Sequence, residues 1–392
     1  MSEVLKIGVI GVGGRGRLAW LAHKPEEGVF IVGGADIYQH MIDVFKEKFG
    51  QEVFVTTDYR VLLEKKDIDA VFVTSPDFMH EEHAVAALEA GKDVYLEKPM
   101  AITIEGCDRI LKTAYRNKRK LYVGHNMRHM RVIRKMKEII EAGKIGEVKA
   151  GWCRHFVGFG GDAYFKDWHA ERSKVTSLLL QKGVHDIDVL HWLCGGYTRR
   201  VTAVGGLTLY DKVTDRHDPS ERGDTSSTDI WPPLSQKGLN PVIDVEDISM
   251  MLMVLDNGGF ASYQQCHYTP DTWRNYTIIG TEGRIENFGS DLVRLWNKRY
   301  PYNPWGDESY FLPPGSGGHG GSDVSIVDEF IDYIRKGNKI TTSAISARNS
   351  VAAGCCGATS LRNGNIPIDI PPVEQEILEY FDSDVKATIS GI

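Results

Sequence analysis

A lysine at the end of a short apolar stretch is well placed to do chemistry. Residues 94–96 (Val-Tyr-Leu) are typical of a buried β-strand, and Glu97-Lys98-Pro99 follows directly. Proline has no N–H for a sheet and restricts the residue before it, so we expect Lys98 at the carboxyl end of the strand. Ligands bind at that edge of a parallel α/β sheet, where an ammonium group can bind or protonate an oxygen atom. The alternative is a surface salt bridge at a strand end.

A glycine-rich turn near the start of the sequence indicates a phosphate-binding loop. The strand-like segment 5–10 leads into Gly11-Val12-Gly13-Gly14-Arg15-Gly16, and a helical pattern follows from Arg17 to about His23. In this G-x-G-x-x-G pattern the first glycine allows a tight turn, the second lets the backbone approach a pyrophosphate, and the third lets helix and strand pack closely. The N–H groups and the dipole at the start of the helix stabilise phosphate charge.

An aspartate after the second predicted strand favours NAD over NADP. Segment 29–35 is strand-like, and Asp36 follows it, 25 residues past Gly11. A carboxylate there accepts a hydrogen bond from the adenosine ribose 2′-OH and repels a 2′-phosphate. No arginine occurs in residues 37–40. The alternative is an exposed aspartate at a strand end.

Strands that alternate with helices must position these residues. Further strands are predicted near 53–55 and at 69–74, 94–96 and 120–124, with helices between them, which indicates a doubly wound parallel sheet over residues 1–126. Residues 127–345 then show consecutive strand-like segments, a helix over 178–194 and a turn at 280–283, which predict an α+β domain with a large, mostly antiparallel open sheet. Residues 211–241 are predicted to form a surface loop or lid, and residues 346–392 a C-terminal helix and tail that pack back on the first domain.

Taken together, these motifs resemble those of the Gfo/Idh/MocA oxidoreductase family, the group of glucose–fructose oxidoreductase and inositol dehydrogenase. The resemblance extends from Leu5 to about Ile370. It rests on the glycine motif, Thr74-Ser75-Pro76-Asp77 with His80, residues 90–99, Asn126 with Arg128, and His185-Asp186-Ile187-Asp188.

The resemblance implies a function as well as a fold. It implies oxidation of one secondary alcohol of a sugar, polyol or sugar derivative, with Lys98 bridging the cofactor and the substrate hydroxyl and His185 acting as acid/base. It also implies homodimers or homotetramers formed through the open face of the second sheet. The cofactor contacts implied are those of Gly11, Gly13, Gly14, Arg15, Gly16, Asp36, Ser75, His80, Glu97 and Asn126.

Two positions depart from the family pattern. The family usually has an aspartate four residues before the histidine, where this chain has Gln181. Glutamine can orient a hydroxyl group but cannot carry a proton, and the sequence leaves open whether the ammonium of Lys182 helps instead. Asp77 replaces the common asparagine and puts a charge near the nicotinamide side.

Candidate substrate contacts follow from what a sugar needs. A neutral histidine at position 185 is a natural base near pH 7; the alternative is a helix-face histidine satisfied by the backbone or by Asp188. Aromatic rings pack on the CH faces of sugars, while hydroxyl groups need charged or amide partners. The candidates for these contacts are Arg154, Tyr164, Trp168, Gln181 and Lys182, and for the first three ordinary packing is an equal alternative.

Composition narrows the class of protein. The 392 residues carry a net charge of −7, which argues against binding to nucleic acid, and no apolar run is long enough for a membrane span. Six scattered cysteines without a C-x-x-C pair indicate free thiols in the cytoplasm, and the histidines lack the companions of a metal site.

Three functions therefore remain. The first is an NAD-dependent dehydrogenase of a sugar, polyol or glycoside. The second is a glycosidase that keeps NAD bound, oxidises a ring hydroxyl transiently, eliminates the aglycone, adds water and reduces the product again. The double glycine at 13–14, the segment 211–241 and Gln181 keep that function open. The third is a cofactor-binding regulator without turnover.

Overall fold

A computed structural model describes residues 4–158, 161–221, 223–226, 230–313 and 315–383. The chain divides into two compact units. The first unit comprises residues 1–130, 315–348 and 373–392, and the second comprises 131–314 and 349–372. Residues 315–345, predicted to lie in the second domain, thus belong to the first unit.

The α-helices of the described residues fall in both units. Helices α1–α4, α9 and α11 lie in the first unit, α5–α8 lie in the second, and α10 contributes residues to each. Their bounds are α1 Gln39–Phe49, α2 Tyr59–Leu63, α3 His80–Glu89, α4 Ile104–Asn117, α5 Arg131–Glu141, α6 Arg172–Val175, α7 Leu178–Gln181, α8 Gly183–Cys194, α9 Ser322–Lys336, α10 Ala344–Arg362 and α11 Gln375–Asp382.

The sheet of the first unit is doubly wound, as predicted. Its six strands are all parallel and run in the order β3-β2-β1-β4-β5-β6. The chain reverses direction across the sheet between β1 and β4, and the crevice at such a switch point is where this architecture binds its ligand. The strands are β1 Leu5–Ile10, β2 Val29–Ala35, β3 Phe54–Thr56, β4 Ala70–Val73, β5 Asp93–Leu96 and β6 Leu121–Val123.

A distant part of the chain completes the core of this unit. Phe330 of α9 packs edge-on against Phe72 of β4 and Tyr95 of β5, with ring centroids 5.2 and 5.6 Å apart. Tyr122 of β6 lies 6.0 Å from the same ring. All four side chains are fully buried. Helix α9 therefore belongs to the core of the first unit.

The segment after the glycine motif is wound more tightly than predicted. Residues Gly14–Ala22 form a 3₁₀-helix in place of the expected α-helical run from Arg17. The Gly16 N–H donates to the Gly13 carbonyl at 2.6 Å, an i→i+3 bond that tightens the first turn.

The second unit contains a nine-stranded sheet in the order β14-β13-β12-β11-β7-β10-β9-β8-β15. All its pairs are antiparallel except β7 with β10, which confirms the predicted mostly antiparallel sheet. The predicted turn closes the β11–β12 hairpin, where the Gly280 N–H donates to the Gly283 carbonyl. The strands are β7 Val148–Val157, β8 Thr198–Gly206, β9 Ile248–Leu255, β10 Phe260–Cys266, β11 Thr272–Gly280, β12 Arg284–Phe288, β13 Leu292–Trp296, β14 Glu308–Phe311 and β15 Ile368–Asp369.

Two predictions for the second unit need correction. The helix expected over 178–194 is divided into α7 and α8 at Lys182. Gly183, the first residue of α8, packs closely on β10, and a Cβ there would lie 2.8 Å from the Tyr263 ring. The segment 211–241 is not wholly a surface loop. Its Val213 and Leu239 are buried in a small apolar cluster with Phe165. Within the described residues, no helix has the length and apolar character to cross a membrane.

Candidate functional site

The glycine loop of the first unit depends on two glycines. Gly11 has φ +85°, and a Cβ there would lie 2.8 Å from the Ser75 backbone nitrogen. A Cβ on Gly16 would lie 2.0 Å from the Gly11 carbonyl oxygen. The hydroxyl of Thr74, at the end of β4, donates to that same carbonyl at 2.8 Å. The loop is therefore packed against the carboxyl end of β4 in a way that only glycine allows.

Asp36 lies at the same loop. Its Oδ2 accepts from the Val12 and Gly13 N–H groups at 3.0 and 3.3 Å, and its Oδ1 accepts from Tyr38 N–H at 3.0 Å. The carboxylate thus fixes the turn, and its partly exposed position agrees with the ribose contact expected of it. At the next loop position, Gly14 has φ +44° and open space where a side chain would be.

Arg15 connects the glycine loop to the residue beside Lys98. Its Nε donates to Glu97 Oε1 at 2.7 Å, and its two terminal nitrogens donate to the Asp323 carboxylate at 2.9 Å each. Glu97 also accepts from the Tyr95 hydroxyl at 3.2 Å and from the Lys98 N–H at 3.1 Å. Glu97 is buried, so this ion pair is shielded from water.

Asp323, in the first turn of α9, also contacts Asn126 and His319. It accepts from Asn126 Nδ2 at 3.1 Å, and it pairs with His319 Nδ1 at 2.9 Å. Burial alone raises the pKa of the Asp323 carboxyl, but the hydrogen bonds from His319 and Arg15 outweigh it and lower the pKa below its usual range. Asn126 and Arg15, both predicted to contact the cofactor, therefore meet at one carboxylate.

Ser75 and His80 support the loop between β4 and α3. His80 is buried, with Nδ1 2.6 Å from the Pro99 carbonyl and Nε2 2.8 Å from the Ser75 carbonyl. The Ser75 hydroxyl lies 2.9 Å from His83 Nδ1. His80 thus joins the ends of β4 and β5 through their loops, and that contact fixes the chain beside Lys98. The Lys98–Pro99 peptide bond is cis, and Lys98 itself is partly buried.

In the second unit, His185 lies in the first turn of α8 next to a buried carboxylate. Asp186 is fully buried; its Oδ2 pairs with His155 Nδ1 at 2.9 Å, and its Oδ1 accepts from the Tyr276 hydroxyl and lies 3.2 Å from Arg274 Nε. Burial raises the pKa of the Asp186 carboxyl, but Arg274 and His155 hold it well below its usual range. Asp186 therefore stays charged and fixes the start of the helix that carries His185.

Three of the predicted substrate residues occur close to this cluster. Lys182 Nζ lies 5.2 Å from the centroid of the Tyr164 ring. The Tyr164 ring contacts His169, which stacks on Trp168 with centroids 3.7 Å apart. Gln181 is the last residue of α7 and is buried. The structure thus brings Tyr164, Trp168 and Lys182 into one set of contacts.

Arg154 lies elsewhere. Side chains alternate along β7, and Arg154 is on the exposed face of the sheet, opposite the face that carries the buried His155. Its guanidinium donates to Asn275 Oδ1 at 3.2 Å. The structure therefore does not bring Arg154 together with Lys182 and Tyr164.

Several residues of these clusters were not predicted from the sequence. Asp323 lies far along the chain, and no local pattern marks it as a partner of Arg15. Arg274 and His155 face each other in the β7–β11 register, which strand alternation alone does not reveal. Within the described residues, no group of three or more His, Cys, Asp or Glu side chains is arranged to hold a metal ion.

The first unit fits a dinucleotide. Such a ligand needs a loop whose backbone it can approach, and Gly11 and Gly16 leave no room for a Cβ there. It also needs the Asp36 carboxylate at the loop and the position of the loop at the switch point of the sheet. NAD binding is further supported by a family model described as an oxidoreductase family with an NAD-binding Rossmann fold, which matches residues 5–125. A second model, of the GFO/IDH/MocA C-terminal domain, matches residues 133–286. These matches confirm the predicted fold and cofactor.

Known relatives agree with this assignment. A Bacillus subtilis protein named YteT is 26% identical over 78% of this chain and 81% of its own length. Inositol 2-dehydrogenase of Salmonella typhimurium is 32% identical over 48% of this chain, and the alignment spans about half of that enzyme (54%).

Solved structures show the same fold. Levoglucosan dehydrogenase in complex with NADH and levoglucosan superposes with a TM-score of 0.77 at 20% identity, over 94% of this chain and all (100%) of the other. Apo scyllo-inositol dehydrogenase from Lactobacillus casei gives a TM-score of 0.70 at 21% identity, over 94% of this chain and 99% of the other.

Proposed function

The chain belongs to the Gfo/Idh/MocA oxidoreductase family, and from this membership we propose that it transfers a hydride between NAD and a secondary hydroxyl of a sugar, polyol or glycoside. The observation that carries this proposal is the Arg15–Glu97 ion pair. It ties the glycine loop to the residue that precedes Lys98, so a cofactor site and an ammonium group share one edge of the sheet. The relatives named as inositol dehydrogenases support the substrate class.

The roles of the side chains follow from the chemistry of alcohol oxidation. Bound NAD⁺ supplies the acceptor for the hydride that leaves the carbon atom. Lys98 donates a hydrogen bond to the hydroxyl oxygen and stabilises the negative charge that develops on it. His185, in its neutral form, takes up the hydroxyl proton. Asp36 binds the adenosine ribose and disfavours a 2′-phosphate.

A steady-state assay tests this proposal. The purified protein, given NAD⁺ and a panel of polyols, sugars and aryl glycosides, is expected to form NADH with at least one of them and to prefer NAD⁺ over NADP⁺. Release of nitrophenol from an aryl glycoside without net NADH, with NAD retained through purification, would establish the glycosidase reaction in its place. If the protein binds NADH but turns over none of these compounds, the remaining function is that of a cofactor-binding regulator.

We also propose that the protein forms homodimers or homotetramers through the exposed face of the second sheet. Along β7, β9 and β10 this face carries large apolar side chains that are 38–67% exposed, namely Trp152, Met250, Leu252 and Phe260. Several exposed, large apolar side chains on one face of a sheet are typical of an interface. Light scattering of the purified protein is expected to give two or four times the chain mass of 43.8 kDa, and a monomer at micromolar concentration contradicts the proposal.

The cytoplasmic location expected from the sequence remains a proposal. It is supported by the six cysteines, all of which are buried and none of which is in a disulfide. Fractionation of the source cells tests it, and recovery of the protein outside the cytoplasmic fraction contradicts it.

A further inference from the structure

Lys182 occupies the break between two helices of the second unit. Its backbone N–H donates to the Leu178 carbonyl at 3.0 Å, and α8 begins at the next residue. Its own φ and ψ, −93° and −42°, are helical. Residues three apart lie on one face of a helix, so Lys182 and His185 are on the same face of this helix start.

The surroundings of the Lys182 ammonium group are poor in negative charge. Arg274 of β11 repels it, and Asp186 of α8 is the carboxylate that attracts it. The Asp186 carboxylate already contacts His155 and Arg274 and accepts a hydrogen bond from the Tyr276 hydroxyl. Within the described residues, no carboxylate lies within ion-pair distance of Lys182 Nζ. The groups that face the ammonium are Arg274 on β11, Asp186 on α8, His155 on β7, His267 after β10 and Tyr164 in the 162–165 turn.

Burial and the neighbouring Arg274 change the pH at which Lys182 loses its charge. Burial, and then repulsion by Arg274, lowers the pKa of Lys182 to about 8. Burial also lowers the pKa of His155, to about 4, and that of His267, so both imidazoles are already neutral at higher pH. Arg274 and Asp186 keep their charges and the two imidazoles are neutral, so among these titrating groups it is Lys182 that changes its charge near pH 8.

The chain also lacks the usual proton carrier at the preceding position. Gln181 is 5% exposed, and an amide cannot accept a proton at neutral pH. We propose that the uncharged ε-amine of Lys182 accepts, from His185, the proton that the substrate hydroxyl loses on oxidation. The inference rests on the proposed dehydrogenase function and adds to it the residue that receives the proton after His185.

The step balances in both directions. On oxidation the O–H bond breaks and its proton passes to the imidazole of His185, while the C–H electron pair leaves as hydride to NAD⁺ and the carbon becomes a carbonyl. The imidazolium then gives a proton to Nζ, where a new N–H bond forms, and Lys182, a partly buried residue, releases it to water. On reduction the charged ammonium returns the proton through His185 to the carbonyl oxygen.

A pH profile of kcat/KM distinguishes this role from a structural one. In the wild type, the rate of oxidation is expected to rise with pH through about 8 and then to level off, because only the neutral amine accepts a proton. Lys182→Arg keeps the positive charge but does not deprotonate, so it should lose this rise and be about 100-fold slower at high pH. Lys298→Arg, at an exposed position of the same unit, is the matched control and should keep the wild-type profile. In Lys182→Ala, added methylamine should restore part of the rate.

A second measurement does not depend on turnover. Lysines can be labelled by reductive ¹³C-methylation, and the resonance missing from Lys182→Arg identifies Lys182. That resonance is expected to titrate near pH 8, whereas the exposed lysines titrate at about 10.4. Titration of Lys182 with the exposed lysines, or an unchanged pH rise in Lys182→Arg, overturns the inference. Absence of turnover in the wild type refutes the proposed function instead, and the titration still decides the state of Lys182.

Discussion

Replacing Lys98 with methionine is expected to lower kcat for alcohol oxidation by about 100- to 1,000-fold, the usual cost of losing one donor to a developing oxyanion. Methionine has nearly the length of lysine but no charge and no N–H. The Lys98 N–H bond to Glu97 comes from the backbone, so the substitution leaves it intact. The Arg15–Glu97 pair also remains, and NADH should therefore bind with near-normal affinity.

Two measurements complete that experiment. Fluorescence titration with NADH separates loss of chemistry from loss of binding, and Lys66→Met, at an exposed position of the same unit, is the control for the substitution itself. Turnover by Lys98→Met within about twofold of the wild type, with the control unchanged, would remove Lys98 from the catalytic machinery.

Gly16→Ala is expected to weaken NAD⁺ binding by about 10- to 100-fold, because overpacking of this kind costs about 1–3 kcal/mol. The new Cβ would lie 2.0 Å from the Gly11 carbonyl oxygen, a backbone atom with no rotamer to change. The loop must then move away from β4, and the Thr74 bond to Gly11 moves with it. Isothermal titration with NAD⁺ measures the loss.

A second glycine separates strain from loop geometry. Gly50 has φ +98° with nothing within 4 Å of the position that a methyl group would take, and it lies at the end of α1, outside the glycine loop. Gly50→Ala should lower the free energy of unfolding, since its backbone conformation suits only glycine, but it should leave NAD⁺ affinity unchanged. Equal affinity losses in the two variants would show that the Gly16 effect is general destabilisation.

The sheet of the first unit was predictable because its signals are local. Short apolar strands alternate with helices, and the glycine loop, Asp36 and Lys98 each begin within two residues of the end of a strand. In a parallel sheet the ends of strands meet at one edge, so position along the chain translates into position in space. The strands of the first sheet match their predicted segments for this reason.

The second unit was less predictable because its contacts are not local. Arg154 and His155 are adjacent in sequence but lie on opposite faces of β7, and the sequence does not say which face α8 covers. The close approach of Gly183 in α8 to Tyr263 of β10 likewise joins residues that are far apart in the sequence. The roles of the individual site residues remain predictions for the experiments above.

The Phe330 contact has a consequence for how the protein is made. A ribosome releases the six strands of the first sheet early, but the ring that covers Phe72, Tyr95 and Tyr122 emerges only after most of the second unit, residues 131–314, has been synthesised. During synthesis, the three rings of the first sheet therefore remain uncovered until Phe330 has been made. A fragment that ends at residue 130 lacks Phe330 and leaves those three rings uncovered, so we expect it to fold less stably than the whole first unit.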